Sequence, residues 1–325
     1  MARPITLVIL SDIHYACAAE RARGDDYELR GMTSRFWRLF IKVHHRFFWL
    51  HRQLHQNHLL DQFIAKAGQA DFVVANGDYS CDTAFVGVSD DAACESARMA
   101  LTKLRTECKG GFYAILGDHE MGKHAFITNN GGMRLASFQR AQTELGLQPF
   151  WRLELGRYIL LGVTSSLIAL PIFEQEIRPE EWDEWKRLRE EHLEKIRAAF
   201  SGLQPDQRVI LFCHDPTALP FLGREPAVRD KLAQIEQTII GHLHSNFIFG
   251  LSNWLAGLPT LNFLGSSVSR MSAGLGERKF WKPFRVRLCP SLSGIELFKD
   301  GAFLRVKLDP DAKMPAEFQT HRIDR

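Results

Sequence analysis

Short apolar runs punctuate the chain at wide intervals, and each stops at a charged or imidazole side chain. Residues 7–10 lead to Asp12 and His14, 72–75 to Asp78, and 112–116 to Asp118 and His119. Residues 209–212 lead to His214, and 238–240 lead through Gly241 to His242 and His244. Runs this short and this rich in Val, Ile and Leu read as strands buried on both faces. The stretches between them are long enough for helices. Residues 178–200 read as one, with Pro179 in its first turn and acidic side chains near the positive end of its dipole. Towards the C-terminus, 284–288, 295–298 and 303–308 read as further strands, the last two joined by a hairpin turn at Lys299-Asp300-Gly301. Strands alternating with helices predict an α/β fold. In open α/β sheets the carboxyl ends of the strands share one edge, so the residues just past them converge although they are far apart in sequence.

Convergence makes these residue types informative. Asp12, Asp78 and Asp118 with His14, His214, His242 and His244 would repel one another or lie poorly solvated unless cations sat among them. Carboxylate oxygen and imidazole nitrogen without thiolate suit Mn²⁺, Fe²⁺ or Zn²⁺. Any one of these motifs alone is weak, because a strand-terminal His is more often a satisfied core residue. Their order is stronger evidence: Asp12-x-His14, Gly77-Asp78, Gly117-Asp118-His119-Glu120, His214, then Gly241-His242-x-His244.

In these residues the chain resembles the calcineurin-like metallophosphoesterase superfamily over positions 5 to about 245. The resemblance implies a four-layer α/β/β/α sandwich with two divalent metal ions at one end. It implies Asp12, His14 and His244 as ligands of one ion, Asp118, His214 and His242 as ligands of the other, and Asp78 as the bridge. His119 matches the histidine that meets the substrate phosphate and protonates the leaving oxygen, and Glu120 is placed to orient it. The implied chemistry is hydrolysis of a phosphomonoester, phosphodiester or pyrophosphate. Two positions depart from the pattern. Asp118 stands where the family has asparagine, adding a negative ligand that should tighten metal binding and lower the acidity of bound water. Cys81 stands where purple acid phosphatases carry their iron-binding tyrosine, which argues against a purple enzyme; its packing in the core is the expectation, and ligation the less favoured alternative.

Composition narrows the setting. The net charge of +3 over 325 residues, from 41 basic and 38 acidic side chains, is too even for a dedicated nucleic-acid binder. Six cysteines without a C-x-x-C pair read as reduced thiols of a cytoplasmic protein, and the N-terminus shows no export signal. The most apolar stretch, 158–173, is too short and too interrupted to cross a bilayer.

We therefore expect a single domain over 1–325, with a helical cap-like insertion at 16–57 and the strands of 284–308 completing the second sheet. Within the insertion, 34–54 is basic and aromatic. Phe36, Phe40, Val43, Phe47, Leu50 and Leu54 recur at steps of four and three, which predicts one helical face. Docking of that face on the protein's own surface is the plainer expectation. A cap over the site, or peripheral membrane contact through 35–54 with a lipid-linked substrate, is the sharper one. A nucleotide phosphodiesterase is the nearest alternative activity, and a non-catalytic scaffold of the same fold ranks below it because every ligand position is filled.

Overall fold

The structure, a computed structural model, describes residues 3–50, 52–125, 130–244 and 281–324. Its strands are β1 (Ile5–Leu10), β2 (Phe72–Ala75), β3 (Gly111–Ala114), β4 (Phe150–Leu155), β5 (Tyr158–Val163), β6 (Arg208–Cys213), β7 (Ile235–Ile240), β8 (Val286–Leu288), β9 (Ala302–Leu308) and β10 (Glu317–Arg322). Among the described residues they form two five-stranded sheets, ordered β10-β9-β1-β2-β3 and β4-β5-β6-β7-β8. The strands β1, β2 and β3 run parallel, as do β5 to β8, while β4, β9 and β10 pair antiparallel.

The two-residue period of a strand explains the layering. Leu7 and Ile9 of β1 and Val74 of β2 meet Leu160, Ile210, Phe212 and Ile239 of the other sheet. Their neighbours Val8, Leu10 and Val73 point the opposite way, onto Leu60 and Phe63 of the helix His58–Ala67 and Ala97 and Leu101 of the helix Asp91–Glu107. On the far side Leu161, Val209 and Leu211 pack against Trp185, Leu193, Ile196 and Phe200 of the helix Trp182–Ser201. Both faces of both sheets are covered, so the central strands read as unbroken apolar runs. The result is the four-layer α/β/β/α sandwich, with a helical insertion after the first strand.

Two expectations for the C-terminal region are corrected. Of the strands expected in 284–308 to complete the second sheet, β8 does pair with β7, but β9 lies antiparallel to β1 in the first sheet. Its alternation buries Leu304, Val306 and Leu308 between the sheets, and that pattern suits the inner face of either one. Residues 295–298 form a turn instead of a strand. Asp300 Oδ1 accepts the Ile295 N–H at 2.9 Å, and the Lys299 N–H returns to the Ile295 carbonyl at 2.8 Å. In the insertion, the helix spans Arg35–Phe47 and stops short of Leu54, which is buried in the turn Gln53–His55.

Candidate metal centre

The loops leaving β1, β2, β3, β6 and β7 meet at one end of the sandwich. They are tied together through backbone: the N–H groups of Ile13 and His14 both donate to the Asp78 carbonyl, at 2.8 and 3.1 Å, and Gly241 N–H donates to the His214 carbonyl at 2.9 Å. The motif glycines allow this approach. A Cβ on Gly117 would stand 2.1 Å from Asp78 Oδ1, and one on Gly241 would stand 2.1 Å from Ser11 Oγ and 2.8 Å from Asp12 Oδ2. Asp12, His14, Asp78, His242 and His244 all take left-handed backbone conformations, with φ of 52°, 49°, 60°, 63° and 55°. Non-glycine residues rarely do so, and such strain persists only where the surroundings hold it.

All seven expected ligand residues are brought together. The ligand atoms of Asp12, His14 and His244 lie within 4.8 Å of one another, as do those of Asp78, Asp118, His214 and His242; His14, Asp78 and His119 form a third such set. Asp78 thus belongs to two sets and stands between the others. The tautomers show what these groups lack. His214 Nδ1 is 2.6 Å from the Asn76 carbonyl, so it carries the hydrogen, and Nε2 turns its lone pair towards Asp78 Oδ2 at 3.2 Å and Asp118 Oδ1 at 3.6 Å. His14 Nδ1 is 3.3 Å from the Ser80 carbonyl, so its Nε2 lone pair faces His244 Nε2, also 3.3 Å away. Asp12 Oδ1 is 3.6 Å from that same His244 nitrogen. A fixed imidazole lone pair turned towards two carboxylate oxygens, and three imidazoles and three carboxylates buried together in one site, fit divalent cations between them.

The electrostatics agree. Burial raises the Asp12 carboxyl, with Asp78 adding to the rise. Asp78 and Asp118 are buried too, yet imidazoles and, at Asp118, the Lys123 ammonium outweigh burial and hold both well below the carboxylate range. Burial opposes charge on His214 and His242, but the facing carboxylates push both upward. Burial and the neighbouring His14 push His244 the other way. The carboxylate side of the site calls for positive charge.

His119 is in place beside the cluster. Its Nε2 is 3.7 Å from Asp78 Oδ2, its ring is 4.6 Å from that of His14, and burial followed by the Lys123 charge lowers its pKa to about 3. Glu120 does not orient it. The Glu120 carboxylate accepts the backbone N–H groups of Asp78 (3.0 Å), Tyr79 (2.8 Å) and Gly117 (2.9 Å), which makes it the clamp between two ligand loops; burial and Asp78 raise its pKa to about 7. Cys81 is likewise structural: its thiol donates to the His14 carbonyl at 3.0 Å within a cluster of Ala16, Tyr27 and Leu54.

Two residues of the site carry no motif. Lys123 Nζ lies 3.0 Å from Asp118 Oδ2, matching the extra negative charge that Asp118 brings. The only hint in sequence was its position five residues along from Asp118. Trp49, from the insertion, lies with its ring 4.7 Å from that of His244, and nothing in its spacing relates it to β7.

No curated protein matches the chain. The fold is similar to that of a dimetal phosphatase from Danio rerio, at 13% identity and TM-score 0.47, over 99% of this chain and 100% of that one. It is also similar to a purple acid phosphatase from yellow lupin (Lupinus luteus) seeds, at 12% identity and TM-score 0.40, over 98% of this chain and 54% of that one. The family model for calcineurin-like phosphoesterase matches residues 5–246, a span that holds every residue of the cluster. The chain belongs to the calcineurin-like phosphoesterases and is a metal-dependent hydrolase of phosphoric esters.

Proposed function

We propose that the chain hydrolyses a phosphomonoester, phosphodiester or pyrophosphate with two divalent ions, Mn²⁺, Fe²⁺ or Zn²⁺, one held by Asp12, His14 and His244 and the other by Asp118, His214 and His242, with Asp78 shared. The observation that carries this reading is the convergence of two donor sets, Asp12, His14 and His244 in one and Asp78, Asp118, His214 and His242 in the other, each with its ligand atoms within 4.8 Å of one another. When bound, such ions activate water and neutralise charge on phosphoryl oxygens. The side chains do the rest. Asn76 and Ser80 carbonyls fix the imidazole tautomers, Glu120 holds the Asp78 and Gly117 loops in register, and His119 offers a hydrogen-bond donor to the phosphate from beside Asp78. The six unpaired cysteines support a reducing, cytoplasmic setting.

The test is metal content together with hydrolysis of chromogenic phosphomonoesters and phosphodiesters in Mn²⁺, Zn²⁺ and Fe²⁺, for wild type, Asp78→Ala and His119→Ala. We expect about two metals per chain, activity lost in both variants, and metal lost mainly in Asp78→Ala. A metal-free and inactive wild type under all conditions would leave only the scaffold reading.

A further inference from the structure

The helix Arg35–Phe47 has three faces. With 100° between successive residues, Trp37, Ile41 and His45 share one, and it faces the body of the protein. Ile41 is buried with Leu29 and Met32, Trp37 packs on them, and His45 pairs with Glu28 at 3.1 Å. A second face carries Phe36, Leu39, Phe40, Val43 and Phe47, which are between 43% and 69% exposed. Apolar stripes ordinarily turn to the core; this one turns away. The third face, flanking it, carries Arg35, Arg38, Lys42 and Arg46, all exposed, and no Asp or Glu occurs between Glu28 and Asp61.

The apolar surface continues beyond the helix. Phe48 is 50% exposed, and the turn that carries the exposed Leu297 and Phe298 is tied to it, with Leu297 N–H donating to the Phe48 carbonyl and Glu296 N–H to that of Trp49. Trp49 in turn lies against His244. The exposed face therefore runs to the rim of the metal centre.

We infer that this helix seats the protein on an anionic lipid bilayer, its apolar face among the acyl chains at the headgroup boundary and its basic row among the lipid phosphates. An apolar face flanked by cations is the signature of a helix lying in the interface plane. None of the described helices is long and apolar enough to cross a membrane, and the inferred contact is peripheral. A second copy is a poorer occupant, because an antiparallel two-fold contact through this face would set two rows of Arg and Lys side by side. Seating there puts the site rim at the bilayer surface and favours a phosphoester carried by a lipid. That last consequence rests on the hydrolase reading; the docking does not.

The test reads binding without catalysis. The 325-residue chain is sedimented with phosphatidylcholine vesicles with and without phosphatidylglycerol, alongside Phe36→Ser/Phe40→Ser/Phe47→Ser and Arg35→Gln/Arg38→Gln. Wild type should bind the anionic vesicles and scarcely the neutral ones. The triple variant should lose at least about tenfold in binding with its melting temperature and its hydrolysis of a soluble phosphoester unchanged. The double variant should lose roughly fivefold per charge removed. Equal binding to both vesicle types, or wild-type binding by the triple variant, overturns the inference. So does a lipid-free dimer that the triple variant dissociates, without vesicle binding by the wild type; that result makes the face a contact between copies.

Discussion

At Asp118 one substitution relative to the family pattern is matched by one neighbour. The resemblance gives asparagine at this ligand position, and a carboxylate there would by itself make the metals less acidic. Lys123, 3.0 Å away and only 19% exposed, returns a positive charge to the same place. The pair then presents to a metal about the charge that a neutral amide would. Lys123→Met should accordingly tighten metal retention against a chelator while lowering kcat on a chromogenic phosphoester about tenfold, and Asp118→Asn/Lys123→Met should recover most of that loss. Groups in direct contact couple in this way, by roughly 0.5–3 kcal/mol. If the two substitutions simply add, Lys123 does not act through Asp118. The same proximity shows why the sequence reading missed Lys123: a cation five residues past a ligand is unremarkable until the turn after β3 brings it back onto the carboxylate.

Among the secondary-structure elements, the long helix was legible and the use of its one buried histidine was not. Pro179 and the acidic start of 178–200 predict a helix, and the structure has Trp182–Ser201 preceded by a short turn at Pro179–Glu181. Charge placement did not reveal that His192 is 3% exposed and accepts the Thr164 N–H on Nε2 at 3.1 Å, fastening the helix to the end of β5. Burial, with Lys195 adding a little, lowers this imidazole to about 3, against about 6.5 for an unfolded histidine. Between those values the unfolded chain holds the extra proton. His192 therefore contributes its full stability above pH 6.5 and loses it as pH falls, by at most about 1.4 kcal/mol per pH unit. In His192→Gln, whose amide oxygen can accept the same N–H, denaturant unfolding should fall off less steeply between pH 6.5 and 5 than in wild type; parallel curves would mean that His192 is already protonated in the fold. Other elements were misread for a related reason. The apolar period of β9 fixes which side is buried but not which sheet it joins, and the stripe of Arg35–Phe47 marks an apolar face without saying that it turns outward.

Across the whole molecule, what could be read from the sequence is what strand topology makes inevitable. Side chains at the carboxyl ends of parallel strands must gather at one edge, so Asp12, His14, Asp78, Asp118, His214, His242 and His244 could be named as candidate ligands before their distances were known. Trp49 could not, because its approach to His244 depends on how the insertion folds back. The topology also has a mechanical consequence. Asp12, His14, Asp78 and Asp118 follow strands of one sheet, whereas His214, His242 and His244 follow strands of the other, so metal ions held among them would fasten the two sheets at their shared end. Without cations, that end keeps the Asp12 carboxylate, whose charge burial disfavours, and five left-handed backbones, both of which oppose folding. Chelation should therefore lower the melting temperature by several degrees, and re-addition of Mn²⁺ or Zn²⁺ should restore it. A ligand at a thousandfold its dissociation constant stabilises by about 4 kcal/mol per site. Asp78→Ala, which removes the shared carboxylate, should melt at nearly the same temperature with and without metal. A wild-type melting curve indifferent to chelation, in protein shown by elemental analysis to have lost its metal, would mean that the sandwich is held by its apolar layers alone and that the site is preformed without its ions.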